Sequence, residues 1–270
     1  MILKGKKGII FGALNEKSIA WQVALKAHNE GAEFVLTNAP IAMRMGEINQ
    51  LAAICGNAQI IPCDVSKNED MENLIDKSME ILGGKFDFVL HSVGMSLNIR
   101  KGKAYTDIDY KYMHETLDIS SVSFHRLMQT LWNKDAMKEW GSILALTYIG
   151  AQRIFPDYHE MGDAKALLES YARSFGYRFG KEKKVRVNTI SQSPTPTTAG
   201  SGVKGFNDFY DYANALSPLG NANAEECAEY CISLFSDYTR MVTMQNLFHD
   251  GGFSCTGFSA DVFKLLENRK

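Results

Sequence analysis

Two residues of the sequence, Tyr158 and Lys165, are of types that can act together in one proton-dependent reaction. They stand seven positions apart at the start of a long amphipathic stretch, and seven residues span about two turns, or ~10 Å, of a helix. A helical lysine side chain leans toward the N-terminus, so the ammonium would approach the phenol on one face. A phenol with its usual pKa of ~10 donates a hydrogen bond at neutral pH, and a nearby cation stabilises negative charge on the acceptor.

Taken alone, this pair has a simpler explanation, in which Tyr158 is a core residue and Lys165 is a surface residue with a buried stem. The turns after other predicted strands favour the chemical interpretation. Ligands of parallel sheets bind beyond the carboxyl ends of the strands, and small or polar residues stand at three such positions. They are Gly12 with Ser18 and Ile19 after the first strand, Asp64 and Val65 after the third, and Ser92, Val93 and Gly94 after the fourth.

Each of these turns matches one part of a dinucleotide. Gly12 permits a tight turn, and the amides near Ser18 open a helix whose positive end can bind a pyrophosphate. Asp64 can accept from an adenine amino group, and Gly94 lets the backbone approach a ribose or a nicotinamide. The first turn lacks the GxGxxG spacing, and each residue by itself is equally well an ordinary turn residue. Together they make a dinucleotide site the favoured interpretation.

The elements that must position these residues alternate between short apolar strands and longer amphipathic helices. The predicted strands are Gly8–Phe11, Phe34–Leu36, Gln59–Ile61, Phe86–Leu90, Ile143–Leu146, Val185–Ile190 and Met244–Phe248. The predicted helices are Ser18–Glu30, Ile41–Cys55, Asn68–Leu82, Glu115–Trp140, Tyr158–Glu182 and Ala224–Phe235. Such alternation favours a parallel sheet with helices on both faces. We therefore expect a single α/β domain over residues 1–270, with a doubly wound, Rossmann-like sheet of about seven strands.

One long segment interrupts this alternation. Residues 191–218 carry three of the six prolines, together with three possible hinge glycines, Gly200, Gly202 and Gly205. A loop of this length usually has a function, such as covering a ligand. We expect residues 195–218 to be such a cover, and the alternative is a surface loop that is held by its own aromatic residues.

The composition argues against several classes of protein. The chain has 29 basic and 31 acidic residues among 270, so neither nucleic acid nor a membrane surface is an expected partner. The five cysteines form no CxxC pair, which is typical of reduced thiols in the cytoplasm, and no metal site is expected. No apolar run reaches the ~18 residues of a membrane span, and no cleavage site follows the first apolar stretch, so we expect a cytoplasmic protein.

Several separated motifs of the sequence resemble those of one family. They are Gly12 with Ser18-Ile19-Ala20, Cys63-Asp64-Val65, His91-Ser92-Val93-Gly94, Tyr148-Ile149-Gly150-Ala151, Tyr158 with Lys165, Val185-Arg186-Val187-Asn188 and Asp250-Gly251-Gly252-Phe253. Together they resemble the NAD(P)H-dependent enoyl-acyl-carrier-protein reductases of bacterial fatty acid synthesis, which are divergent short-chain dehydrogenase/reductases. Common short-chain reductases have a Tyr-x3-Lys spacing and an active-site serine. The Tyr-x6-Lys spacing found here, with Tyr148 in place of that serine, makes the resemblance specific.

The resemblance implies reduction of the trans-2 double bond of an enoyl thioester with hydride from NAD(P)H. It implies three catalytic residues: Tyr158 would donate to the thioester carbonyl, Lys165 would bind the nicotinamide ribose, and Tyr148 would line the pocket. The residues expected at the cofactor are Gly12, Ser18, Ile19, Asp64, Val65, Ser92, Val93, Gly94, Lys165 and Thr195. Those expected at the substrate are Met95, Tyr148, Tyr158, Met161 and Phe206, although core filling is the simpler explanation for the methionines. Residues 195–218 would cover an acyl tunnel.

The choice between NADH and NADPH is not dictated by the sequence after the second strand. Thr37-Asn38-Ala39-Pro40 offers neither an acidic residue for a ribose 2′-hydroxyl nor a basic pair for a 2′-phosphate. We favour NADH and keep NADPH as an alternative, because Arg44 would bind a phosphate only if its helix turned inward. Lys204 is a weak candidate for contact with an acidic acyl carrier protein. The resemblance also implies a homotetramer.

Two other functions stay open on the sequence alone. A carbonyl or alcohol oxidoreductase of the same superfamily would use Tyr158 as a proton donor to a ketone, and it would prefer carbonyl substrates to enoyl thioesters. A non-catalytic, dinucleotide-binding regulator would keep the Gly12 turn but would need neither Tyr158 nor Lys165. The scattered histidines, including His91 and His249, are expected to be hydrogen-bonded core residues.

Overall fold

The computed structural model describes residues 1–44, 46–198, 200 and 205–267. Its strands are β1 (Lys7–Phe11), β2 (Glu33–Thr37), β3 (Phe86–His91), β4 (Met137–Thr147), β5 (Arg186–Gln192) and β6 (Asn246–His249). They form one parallel sheet in the order β2-β1-β3-β4-β5-β6. The predicted doubly wound α/β fold is confirmed, with six strands in the described part of the chain instead of about seven.

Helices connect the strands on both sides of the sheet. They are α1 (Ile19–Asn29), α2 (Pro40–Met43), α3 (Glu47–Ile54), α4 (Asn68–Leu82), α5 (Leu97–Arg100), α6 (Tyr110–Leu117), α7 (Ser123–Asn133), α8 (His159–Lys183), α9 (Phe206–Leu216), α10 (Ala224–Phe235) and α11 (Ala260–Glu267). A π-helical turn, Asp118–Val122, joins α6 to α7. Among the described residues, no helix combines the length and the apolar composition that crossing a membrane requires.

The sheet is buried on both faces, because consecutive residues of a strand point to opposite sides. Ile10 and Leu36 belong to the core layer that α1, α3 and α10 complete. Ile9 and Val89 belong to the opposite layer, which contains residues of α4, α7 and α8. A strand that is buried on both sides is apolar at successive positions, which is why the strands were predictable as short continuous apolar runs.

The predicted strand Gln59–Ile61 is shortened to one isolated parallel bridge, which joins Leu36 to Ile60. Backbone pairing with β2 is still present, since the Ile61 amide donates to the Leu36 carbonyl at 3.0 Å. Pro62 follows directly, and proline has no N–H with which to continue a ladder. The segment therefore lies beside β2, in the position of a further strand, without forming one.

Two predicted segments differ in their internal structure. The expected helix Ile41–Cys55 is divided into α2 and α3 at Gly46, whose φ of +77° stops a right-handed helix. The expected cover, residues 195–218, contains the helix α9, so it is partly helical rather than a loop throughout.

The predicted helix Glu115–Trp140 is too long at its C-terminal end. Helix α7 ends at Asn133, Asp135 adopts a left-handed φ of +48°, and the chain enters β4 at Met137. Trp140 therefore lies in a strand. Short apolar runs fit a helix and a strand equally well, so the spacing of the apolar residues could not locate this boundary.

Candidate active site

The strand order reverses between β1 and β3, and the predicted cofactor turn lies at this switch point. Gly12 follows β1 with a φ of +92°, a conformation that favours glycine. A Cβ built on Gly12 would lie 1.9 Å from the carbonyl oxygen of Ser92, which follows β3. A glycine is therefore required for the two strand ends to meet so closely. The structure brings Gly12 and Ser92 together where doubly wound sheets bind their ligands.

Ser18 closes the turn that follows Gly12. Its Oγ accepts from the amides of Leu14 (3.1 Å) and Asn15 (3.3 Å) and donates to the Asn15 carbonyl (2.5 Å). A serine at an N-cap commonly accepts from the first helical turn instead, and the Ser18 side chain makes no such bond to α1. The Ser18 carbonyl accepts from the Trp21 amide at 3.1 Å, so within the described residues the Ile19 and Ala20 amides stay open, and open amides at a helix N-terminus suit a phosphate.

Asp64 and Val65 lie in the turn before α4. The Asp64 carboxylate accepts from the hydroxyl (2.6 Å) and the amide (3.1 Å) of Ser66, and these bonds hold its pKa below the usual range. The Val65 carbonyl accepts from Nη1 of Arg126 in α7 at 2.6 Å. Sequence reasoning missed Arg126, because it is 61 residues from Val65 and carries no local signal.

Tyr158 directly precedes α8, and Lys165 lies within it, as predicted. Lys165 is only 7% exposed, and its Nζ donates to the carbonyl of Leu146 in β4 at 2.9 Å. A Cβ built on Gly94 would lie 3.7 Å from the same Nζ, so the ammonium reaches the turn after β3. Burial lowers the pKa of Lys165 to about 8, and the charge of Glu169 opposes this effect.

The rings of Tyr148 and Tyr158 pack against each other, with centroids 5.0 Å apart and planes at 64°. The Tyr148 hydroxyl is buried and has no hydrogen-bond partner in the described part of the chain. Burial raises the pKa of both phenols, so both stay neutral and can donate hydrogen bonds. A buried donor without an acceptor is costly, and a ligand oxygen would remove that cost. The tyrosine pair is therefore suited to a ligand that carries an acceptor oxygen.

Gly150 controls how closely these two rings approach. A Cβ on Gly150 would lie 2.7 Å from Cδ1 of Tyr158 and 3.0 Å from Cδ1 of Tyr148. The Gly150 carbonyl would in turn lie 2.9 Å from a Cβ on Gly162 in α8. The turn after β4 can therefore press against α8 only because both positions are glycines. Sequence reasoning included Gly150 in a motif but gave it no role, since the constraint exists only in three dimensions.

Buried polar side chains hold the segment that follows the β3 turn. The Met95 amide donates to the Ser120 Oγ at 3.0 Å, and this oxygen lies 3.7 Å from the Sδ of Met161. Oε1 of Glu160 accepts from the Ser96 hydroxyl at 2.6 Å. Glu160 is fully buried, and among the described residues its Oε2 has no partner. The structure brings Met95 and Met161 together, and it adds Glu160, which no sequence motif singled out.

An aromatic cluster lies beside the tyrosine pair. The ring of Phe209 in α9 is 6.2 Å from that of Tyr148 and 4.8 Å from that of Phe155, measured between centroids. A cavity of about 360 Å³ adjoins Phe209 and Phe155. Phe206, the predicted substrate residue, is instead next to Tyr210, at 6.0 Å between ring centroids. Among the described residues, the structure thus brings Phe209 to the tyrosine pair and does not bring Phe206.

The segment after β5 contacts the cofactor turn. Thr195 is half-buried there, and Nδ2 of Asn15 donates to the Thr198 hydroxyl at 2.9 Å. The expected contact of Lys204 with a carrier protein and the expected hinge at Gly202 lie outside the described residues.

The two histidines near the site are hydrogen-bonded, as predicted; His91 lies in the core, whereas His249 is half-buried. His91 is fully buried, its Nε2 lies 2.9 Å from the Ser123 Oγ, and burial lowers its pKa to about 3. His249 lies 2.7 Å from Oε1 of Gln192 through its Nδ1 and stacks on Tyr230. Both imidazoles are therefore neutral structural groups at ordinary pH.

A parallel sheet wound in this order, with a glycine turn at its switch point, is of the open α/β class whose members bind ligands at that point. Residues 12–254 match the model of a family described as enoyl-(acyl carrier protein) reductase. The chain therefore belongs to the enoyl-(acyl carrier protein) reductase family, which confirms the resemblance that its motifs indicated.

Similar proteins and solved structures agree with this assignment. The enoyl-[acyl-carrier-protein] reductase [NADH] FabI of Rickettsia conorii is 34% identical over 258 residues, which cover 95% of this chain and 97% of that protein. The enoyl-[acyl-carrier-protein] reductase [NADH] 2 of Rhizobium meliloti is 32% identical over 256 residues, 94% of either chain. The crystal structure of the FabI-NADH complex from Alistipes finegoldii matches with a TM-score of 0.95 and 61% identity, covering 97% of this chain and 92% of that one.

Proposed function

We propose that this enzyme uses NADH to reduce the trans-2 double bond of enoyl thioesters on acyl carrier protein, the last reductive step of fatty acid elongation. Two similar proteins are named as NADH-dependent enoyl-acyl-carrier-protein reductases, and a solved structure with 61% identity is an NADH complex. One observation carries the proposal. The Tyr158 ring packs on Tyr148, which follows β4, and the Lys165 ammonium reaches the Gly94 turn, which follows the neighbouring β3. We infer from this that a phenol and a cation flank one cleft.

The cleft fits a dinucleotide in two respects. Gly12 approaches the Ser92 carbonyl so closely that a side chain has no room at this part of the switch point. The N-terminus of α1, which has no side-chain cap, lies next to it and can bind a phosphate. Within the described residues, Lys165 gives one of its three N–H donors to Leu146, so the others are available for ribose hydroxyls. The residues that would hold the cofactor are Gly12, Ser18, Ile19, Asp64, Val65, Ser92, Val93, Gly94, Lys165 and Thr195.

The mechanism follows from the protonation states of the buried side chains. When bound, NADH supplies the hydride that the β carbon of the substrate accepts. Tyr158 is neutral because burial raises its pKa, and it donates a hydrogen bond to the thioester carbonyl oxygen, where negative charge collects. The Lys165 ammonium stabilises that charge, and Tyr148 contributes a second unpartnered donor. A proton from solvent water, added at the α carbon, neutralises the enolate and completes the reduction. The dry setting strengthens each of these interactions.

The end of β2 supports NADH over NADPH. Asn38 is bonded to backbone there: its Nδ2 donates to the Ala13 carbonyl at 3.0 Å and its Oδ1 accepts from the Ala39 amide at 2.8 Å. Arg44 is exposed at the end of α2, so it is not turned into the cleft as phosphate binding would require. A 2′-phosphate would find no buried cation among these residues.

The segment 195–218 is the proposed cover of the acyl chain. Helix α9 packs Phe209 against Tyr148 and Phe155, beside the cavity of about 360 Å³. Phe155 and Phe209 line this cavity and also pack on Tyr148, so the cavity is suited to the carbons that follow the thioester. Met95, Met161, Tyr148 and Tyr158 do not line that cavity, and we place them at the inner end of the acyl site, with Phe206 as a part of the cover.

We also infer one domain over residues 1–270, a homotetramer and a cytoplasmic location. One sheet and its two core layers run from β1 to β6, which supports a single domain. The outer surface of α7 and α8 carries half-buried aromatic residues, Tyr171 and Phe175, packed on His125. Such a surface suits pairing with a symmetry mate. The five cysteines are free thiols, as is common in the cytoplasm. Sedimentation equilibrium tests the tetramer by its mass.

A spectrophotometric assay tests the reaction. The absorbance of the reduced nicotinamide is followed with a crotonyl or longer enoyl thioester, once with NADH and once with NADPH. We expect rapid loss of absorbance with NADH and slow loss with NADPH. Oxidation of NADH by ketones but by no enoyl thioester would replace the proposal with the carbonyl reductase alternative.

A further inference from the structure

Lys165 and Glu169 are two buried side chains of opposite charge, one turn apart on the same face of α8. Lys165 is 7% exposed and Glu169 is 4% exposed. The Lys165 Nζ donates to the Leu146 carbonyl, a neutral acceptor in β4, at 2.9 Å. In the described part of the chain, the Lys165 ammonium and the Glu169 carboxylate each make hydrogen bonds to neutral groups and none to one another.

Glu169 is held by three neutral donors from three different parts of the fold. Its Oε1 accepts from the hydroxyl of Thr147, the last residue of β4, at 2.9 Å and from Nδ2 of Asn246 in β6 at 3.2 Å. Its Oε2 accepts from Nε2 of Gln152, in the turn after β4, at 3.2 Å. Such bonds stabilise an ionised carboxylate without neutralising it. The negative charge of Glu169 is therefore free to act on a nearby cation.

A buried ammonium is costly unless an opposite charge compensates it. The groups that Lys165 and Glu169 bind, the carbonyl of Leu146 and the hydroxyl of Thr147, belong to adjacent residues of β4, so the two charges lie in one buried region, where low polarity strengthens their attraction. We propose that Glu169 is a positioning residue: its carboxylate keeps Lys165 protonated and fixes the end of β4, so that Lys165 can bind the cofactor ribose at neutral pH. The identity of that ligand rests on the proposed function, and the pairing of the two charges does not.

Three other titratable groups on the elements around the ammonium are neutral. His91 in β3 is fully buried, and burial lowers its pKa to about 3. Tyr148 after β4 and Tyr158 before α8 are uncharged, because burial raises the pKa of each phenol. None of these three can offset the charge of Lys165.

Two further carboxylates near the site are occupied elsewhere. Asp250, after β6, accepts from the amides of Gly252 and Ser254 at 3.0 Å each. Glu160, in the first turn of α8, accepts from the Ser96 hydroxyl at 2.6 Å. Glu169 is the carboxylate whose charge raises the pKa of Lys165 against the lowering effect of burial.

The pH dependence of NADH binding tests this inference. Lys165, with a pKa of about 8, loses its charge as the pH rises, and NADH affinity falls with it. Glu169→Gln removes the compensating charge, which lowers the pKa of Lys165 and moves the fall to lower pH. Titrations by NADH fluorescence between pH 6 and pH 10 should place the midpoint about one pH unit lower in the variant or more, with similar affinity at pH 6.

Two control variants separate charge from packing. Glu169→Asp keeps the carboxylate, and Gln152→Ala removes one of its hydrogen bonds but not its charge. Both should titrate within a few tenths of a pH unit of the wild type. An unchanged midpoint in Glu169→Gln, or an equal shift in Glu169→Asp, would overturn the inference. If Glu169→Gln does not fold, Glu169→Asp still decides, since a packing role predicts a shift there and a charge role predicts none.

The binding titration is independent of turnover. A wild-type protein that titrates as expected but oxidises no NADH with any enoyl thioester would refute the proposed function and leave the role of Glu169 intact. A protein that reduces enoyl thioesters but binds NADH with the same pH midpoint in Glu169→Gln would refute the role of Glu169 alone.

Discussion

The two halves of the cleft are built in different ways. Around Gly12 and Asp64 the contacts are made mainly by backbone and by short local hydrogen bonds, and a missing side chain creates the space. Around Tyr158 and Lys165 the contacts are made by buried side chains from several elements, and the Tyr148 hydroxyl lacks a partner among the described residues. The first half therefore depends on shape and the second on a dry, polarised environment. Substitutions in the first half should change binding, and those at the tyrosine pair of the second half should change the reaction.

The largest effect is expected from Tyr158→Phe. It removes the donor to the developing oxyanion, and loss of one such donor costs about 10²- to 10³-fold in turnover. NADH affinity should change by less than about threefold, because the phenol does not contact the cofactor in the proposed complex. Steady-state kinetics and NADH fluorescence measure the two effects. Tyr177→Phe, at an exposed position of α8, is the control and should behave as wild type. Normal turnover in Tyr158→Phe would contradict the difference between the halves.

Gly12→Ala tests the half that depends on shape. The new Cβ would lie 1.9 Å from the Ser92 carbonyl oxygen at a φ of +92°, so the strand ends must separate. We expect a loss of about 3 kcal/mol in the free energy of unfolding and a large loss of NADH affinity. Urea denaturation and fluorescence titration measure these changes.

Gly102→Ala is the matched control for Gly12→Ala. Gly102 also has a positive φ, +65°, but a Cβ there meets nothing within 4 Å. Its cost should be limited to about 1–2 kcal/mol of backbone strain, with NADH affinity unchanged. Equal losses in both variants would show that backbone strain, and not the close approach to Ser92, governs the turn.

A smaller effect is expected from Gly150→Ala, in the catalytic half. The new Cβ would lie 2.7 Å from Cδ1 of Tyr158, which is too close, so the ring must move. A misplaced donor should lower turnover by about tenfold to 10²-fold. NADH affinity should be close to wild type. In the control Gly180→Ala, in α8, the new Cβ would lie 3.9 Å from the Val185 carbonyl oxygen, an ordinary contact, and turnover should be unaffected. Wild-type turnover in Gly150→Ala would mean that the ring spacing does not matter.

The smallest effect is expected from Arg126→Met, behind the cofactor half. It frees the Val65 carbonyl, to which Nη1 donates at 2.6 Å, so the turn at Asp64 should lose its fixed position. We expect NADH affinity to fall by about three- to tenfold, with turnover at saturation unchanged. Arg178→Met, which removes an exposed ion pair, should change neither quantity. A fall in turnover without a change in affinity would place Arg126 in the other half.

The two halves also differ in how far the sequence could predict them. Strand ends such as the Gly12 turn and the pair Tyr158 and Lys165 were predictable, because glycine turns and helical spacing are local properties. Arg126 and Glu160 were not, because their partners, Val65 and Ser96, are joined to them only by the folded chain. In the same way, the change from α7 to β4 depends on a left-handed turn at Asp135 that apolar spacing does not encode.

The most direct measurement is a crystal structure of the enzyme with NADH and a non-reacting enoyl thioester analogue. The Tyr158 hydroxyl should lie about 2.6–3.2 Å from the thioester carbonyl oxygen, and the Lys165 Nζ at a similar distance from a ribose hydroxyl. Both contacts are needed for the proposed reaction. A complex in which the thioester oxygen binds away from Tyr158, or in which the ribose lies out of reach of Lys165, would contradict it.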